Sequence, residues 1–201
     1  MKWLLSLIIT ICQYSFLIAQ CTYLAYDGFS YGSALPLQNL SGGTGWQTPW
    51  QVQNNNSTVP GYQSGSGGSQ VYSTLTTIGN HATGGYQYLT SGRRLNTSPQ
   101  GPFANYIAEN SDYIGSETGD TLWMSVLLNK LTNDAQELGV DLHDNNIAWC
   151  SGCSNQHIAV GYFGANSNVN GERRWTLRLA NTYYPTDSIV TINEAALLVL
   201  R

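Results

Sequence analysis

An all-β fold, an antiparallel β-sandwich, is what this sequence predicts, and three observations predict it. The run Tyr26-Asp-Gly-Phe29-Ser-Tyr31, followed by Gly42-Gly-Thr-Gly-Trp46-Gln-Thr-Pro-Trp50, crowds aromatic and turn-forming residues into a stretch that no helix accommodates. Beyond it, short runs of β-formers alternate with Gly, Asn, Ser and Pro clusters, and helical periodicity of the apolar residues nowhere persists. Composition agrees. Of 201 residues, 21 are Gly and 13 Tyr while 10% are charged, which suits an all-β module better than helices with Lys- and Glu-rich outer faces.

Taken from the N-terminus, residues 1–19 read as a secretory signal peptide. Lys2 supplies the positive charge, residues 3–19 are mostly apolar, and Leu17-Ile-Ala19 ends on a small side chain suited to a cleavage edge. A membrane anchor is the competing reading, but Cys12, Gln13, Tyr14 and Ser15 interrupt the apolar run, which falls short of the ~20 residues of a spanning helix. Cys21 raises lipoprotein processing, against which Gln20 stands where Gly, Ala or Ser is preferred. Residues 20–201 then form one domain, because 42% hydrophobic content suffices for a single core. Its strand candidates are 70–78, 86–90, 121–129, 137–143, 157–163, 173–180, 188–192 and 196–200. Residues 54–68 form a polar loop, and 132–137 have room for one helical turn capped by Thr132 or Asn133.

Export places the mature chain outside the cytoplasm, secreted or at the cell surface. With Lys2 removed, 7 basic residues stand against 12 acidic ones. That field repels nucleic acid and anionic membrane surfaces, so neither a nucleic-acid partner nor a membrane span after signal removal is expected.

The acidic-Gly-Phe-x-Tyr opening at 27–31, Gly-Gly-Thr-Gly-Trp-x-x-x-Trp at 42–50, Arg-Arg-Leu at 93–95 and Thr-Leu-Trp-Met-Ser-Val-Leu-Leu at 121–128 together resemble a known module. It is the concanavalin A-like, LamG-type jelly roll of secreted bacterial surface proteins. The resemblance runs from Tyr26 to the end and rests on turns and core strands. It implies a jelly-roll sandwich. In such modules the stretch matching Ala195-Ala-Leu-Leu-Val-Leu-Arg201 is an interior strand, so the resemblance also implies that the last strands are missing here and that a sheet edge is exposed.

Candidate binding residues follow from aromatic and cationic chemistry. Trp46 and Trp50 offer flat rings for the C–H face of a sugar, against the more frequent use of tryptophan as a plug for a sandwich core. Alternation along 173–180 puts Arg173, Trp175, Leu177 and Leu179 on one face and Arg174, Thr176 and Arg178 on the other. If that second, wetter face is concave, Arg174 and Arg178 are placed to donate to sugar hydroxyls or a uronate carboxylate, with Trp123 contributing from a neighbouring strand. The competing reading is a solvated outer face.

Cys150-Ser-Gly-Cys153 has thioredoxin-like spacing, but no βαβ unit surrounds it, and an exported protein meets oxidising conditions. A local disulfide between Cys150 and Cys153 is expected, with zinc held by the pair and His143 or His157 as the remaining option. No cofactor is indicated. Asp112, Glu117 and Asp120 offer oxygen donors for Ca²⁺ at a spacing that matches no defined loop. The Glu-x-Asp-x-x-Glu run of enzymes with this fold is absent, and Asp141-Leu-His143-Asp144 is the nearest acidic cluster. The sequence therefore favours a non-catalytic module binding glycan or extracellular matrix; the alternative is a polysaccharide-acting hydrolase or lyase.

Overall fold

The computed structural model describes residues 23–52, 62–65, 68–75, 77–84, 90–107, 114, 121–143 and 157–201. The predicted signal peptide 1–19 lies outside them, and so do Cys150 and Cys153. The fold is all-β and its strands pair antiparallel. In chain order they are β1 (Gln51–Val52), β2 (Tyr62–Ser64), β3 (Ala82–Gly84), β4 (Ser91–Gly92), β5 (Met124–Asn129), β6 (Leu138–His143), β7 (His157–Tyr162), β8 (Asn168–Val169), β9 (Glu172–Leu179), β10 (Thr182–Ile189) and β11 (Ala195–Leu200). No helix among the described residues is long and apolar enough to cross a membrane.

The main sheet has the order β10-β9-β7-β6, with β8 paired to β9. Asn170-Gly171 links β8 to β9, both residues at positive φ, as a two-residue hairpin turn requires. A ribbon of β5 and β11 pairs over six residues, Ala195 opposite Asn129 through Leu200 opposite Met124. Its inner face carries Val126, Leu128, Ala196 and Leu198, and these meet Leu138, Val140, Tyr162 and Trp175 of the sheet, with Val190 closing the cluster. The period of two predicted for 173–180 is what brings Trp175 into that core.

Within the expected polar loop 54–68, residues 62–64 instead form β2, paired with β3, and three further elements differ from expectation. Residues 70–78 do not extend into a strand. Leu75 N–H donates to the Tyr72 carbonyl (2.9 Å), Thr77 Oγ1 donates to the Gln70 carbonyl (2.7 Å) and Ser73 takes a positive φ, so the run folds back on itself. The last hairpin begins earlier than 188–192, because Pro185 is tolerated on the edge strand β10, whose register shifts between Pro185 and Ile189.

The third difference is 132–137, which bends around Asp134 instead of forming a helical turn. Its carboxylate accepts from Lys130 Nζ (2.7 Å), Thr132 Oγ1 (2.7 Å) and Gln136 N–H (3.1 Å). The buried Lys130 also donates to the Gln136 carbonyl (2.9 Å) and lies 5.2 Å from the centre of the Tyr162 ring. The Lys130 hydrogen bond, then that of Thr132, lowers the Asp134 carboxyl from 3.8 to about 2. A lowered folded-state pKa adds stability above the unfolded value that is lost as pH falls through the folded one. Wild type is therefore expected to lose stability between about pH 4 and pH 2 in a limb that Asp134→Asn removes, read from urea midpoints across that range. Identical limbs in the two proteins would contradict this.

Candidate functional site

The aromatic opening builds a buried ion pair. Arg93 Nη1 donates to Asp27 Oδ2 at 2.6 Å, and the side chains are 2% and 6% exposed. The same carboxylate accepts from Tyr31 OH (2.7 Å), Trp50 Nε1 (2.9 Å) and Phe29 N–H (2.8 Å). Arg93 further donates to the carbonyls of Gly42 (2.7 Å) and Thr48 (3.1 Å), and its guanidinium lies 5.0 and 5.5 Å from the ring centres of Trp46 and Trp50. Phe29 stacks on Trp50 at 5.7 Å. Gly43 and Gly45 take positive φ, and a Cβ on either would stand 2.1 or 2.0 Å from a backbone carbonyl. These rings are committed to Arg93 and to one another, which leaves Trp46 and Trp50 in a structural role.

Arg174 and Arg178 share one face of β9, as alternation predicts, but that face is less wet than expected. Thr176 between them is 2% exposed. Arg174 is held by Glu172 Oε2 (2.5 Å), the Thr186 carbonyl (3.2 Å) and Asp187 Oδ1 (3.5 Å). Arg178 donates Nε–H to the Ala180 carbonyl (2.9 Å) and lies 5.4 Å from the centre of the Tyr183 ring. Cross-strand register puts Asp141, Ala159, Arg178 and Tyr183 in one row over four strands. That row holds one carboxylate and one guanidinium on strands separated by β7, and it lacks the second acid of a glycosidase dyad.

Trp123 does not join them. It precedes β5, and β5 pairs with β11 rather than with any strand of the main sheet. Continuing the register past Leu200 and Met124 sets Arg201 opposite Trp123, and the guanidinium lies 5.4 Å from the ring centre. Trp123 is 65% exposed. Ser125 and Val199, the next pair on that outer side, are exposed as well. The pattern Met-Ser-Val-Leu-Leu marks the ribbon's two faces in the sequence. The Arg201 contact needs the pairing partner of β5, which local pattern does not supply, and sequence reasoning missed it.

No group of three or more His, Cys, Asp or Glu side chains among the described residues is placed to hold a metal ion. The candidate oxygen donors Asp112, Glu117 and Asp120 lie outside those residues, as does Asp144. Comparison with protein-family models finds no match for this chain, and comparisons with curated proteins and with solved structures find none either.

Proposed function

We propose that this chain is a non-catalytic, secreted or cell-surface module of the concanavalin A-like kind that binds carbohydrate, alone or within extracellular matrix. The observation that carries the reading is Trp123, a large ring left 65% exposed on the outer side of a paired ribbon. Leaving such a ring in water forgoes roughly 1.5–3 kcal/mol of burial, and stacking on a pyranose recovers part of it. The apolar leader supports an extracellular address. The packing of the β5–β11 ribbon over the main sheet is the arrangement from which a sandwich is made.

Glycan-array binding of the full chain tests this. Trp123→Ala is expected to weaken retention by about thirtyfold, near 2 kcal/mol, while shifting unfolding by less than about 0.5 kcal/mol. Silence of the wild-type protein across the array would end the reading.

A further inference from the structure

Arg201 differs from the other cations among the described residues. Arg93 is spent on Asp27 and two carbonyls, Lys130 on Asp134, Arg173 on Asn133, Arg174 on Glu172 and Asp187, and Arg178 on the Ala180 carbonyl. Arg94 is engaged too, and its backbone N–H donates to Thr48 Oγ1 (3.1 Å). Among the described residues, the guanidinium of Arg201 touches only the ring of Trp123. The twelve ribbon positions of β5 and β11, Met-Ser-Val-Leu-Leu-Asn and Ala-Ala-Leu-Leu-Val-Leu, include no acid to neutralise it. A planar fork of donors is thus left open beside an exposed aromatic face, next to the hydroxyl of Ser125 and the exposed methyls of Val199.

We infer that Trp123 and Arg201 form a subsite for a uronic acid residue of a glycan, an inference that rests on the carbohydrate-binding reading above. In the free protein the guanidinium lies 5.4 Å from the centre of the indole, which stays 65% exposed. An exposed cation–π contact is worth about 0.5–1 kcal/mol, so it yields readily to an incoming sugar ring. The pyranose stacks on the indole, and the guanidinium moves to the ring edge, where it meets the sugar carboxylate as a charge-assisted, two-pronged pair. Ser125 Oγ is at hand for a ring hydroxyl. The formal net charge of −4 argues for a polymer with a single carboxylate per sugar over a more densely charged sulfated one. Repulsion accumulates along a closely charged polymer, whereas a single carboxylate in direct contact with Arg201 feels the rest of the surface only through screening of about 8 Å.

The test compares binding of the full chain to polygalacturonate, to its methyl ester, which keeps the backbone and removes the charge, and to heparin. Wild type is expected to prefer polygalacturonate over the ester by at least about tenfold, the effect of one hydrogen-bonded charge. Arg201→Gln is expected to abolish that preference, and Arg201→Lys to restore part of it, since a lysine keeps the charge and loses the fork. Circular dichroism verifies that the variants remain folded. Equal binding of acid and ester, or a preference that survives Arg201→Gln, overturns the uronate subsite while leaving carbohydrate binding intact. Arg201-dependent binding that is tighter for heparin overturns it in favour of sulfate. Failure to bind any glycan removes both readings together.

Discussion

Asp27→Ala is expected to destabilise the protein by about 3–5 kcal/mol, the range for stripping one partner from a buried ion pair. Four donors converge on this carboxylate: Phe29 N–H, Tyr31 OH, Trp50 Nε1 and Arg93 Nη1. Removing the acceptor leaves Trp50 Nε1 only its longer contact to the Tyr31 hydroxyl (3.2 Å) and leaves a cation 2% exposed with two carbonyls, that hydroxyl and two indole rings in place of a counter-charge. Arg93→Met removes a single donor and leaves the carboxylate three others, so its cost should be smaller, about 2 kcal/mol. Urea denaturation of both variants checks the order, and an Asp27→Ala protein within 1 kcal/mol of wild type would refute the argument. Tyr31 gives an independent readout. Its hydroxyl is raised from 10.0 to about 12, by burial first and then by the hydrogen bond to Asp27 and its charge. A raised folded pKa leaves stability intact below pH 10 and erodes it as pH climbs through 12. In Asp27→Asn the tyrosinate should form at lower pH than in wild type, because the hydrogen bond to the carboxylate and its charge both raise the Tyr31 hydroxyl.

How far the sequence reaches can be seen in the cluster around Trp46 and Trp50 and in the strands that follow it. The glycine and aromatic spacing at 26–50 announces turns, and the positive φ of Gly43 and Gly45 is the physical content of that signal. That Arg93 enters the same cluster, 66 residues from Asp27, is a long-range fact that local pattern cannot hold. Strands 124–129, 138–143, 157–162, 172–179 and 195–200 were legible because each alternates or runs apolar over six or more residues. The segment 70–78 misled for the opposite reason. It has β-formers in plenty, but the hydroxyl of Thr77 bonds the backbone at Gln70 and closes a turn that propensity does not register. Arg174 and Arg178 lie on one face of β9 as alternation predicts, whereas Trp123, expected inside strand 121–129, precedes β5, and β5 pairs with β11 and not with a strand beside β9. Sheet order depends on which faces meet in the core, and Leu128 and Val126 meet Trp175 across the layers instead of beside it.

Trp175→Ala is expected to cost about 3–5 kcal/mol, a large share of the 5–15 kcal/mol that holds most domains together. The side chain is 4% exposed and touches a cluster drawn from both layers: Leu128, Val126, Ala196 and Leu198 of the ribbon, Tyr162, Leu138 and Val140 of the sheet. Truncation opens a cavity where those layers meet, and neither layer can close it without breaking its own ladder. Trp175→Phe keeps most of the volume and should cost less than half as much. Trp123 is the same residue type in the other environment, and the pair separates folding from binding. Trp175→Ala should lower the urea midpoint and, below that midpoint, bind glycan like wild type; Trp123→Ala should keep the midpoint and lose the ligand. A Trp175→Ala protein as stable as wild type would mean that the ribbon does not depend on the sheet for its place, and with that the layered core described here would fail.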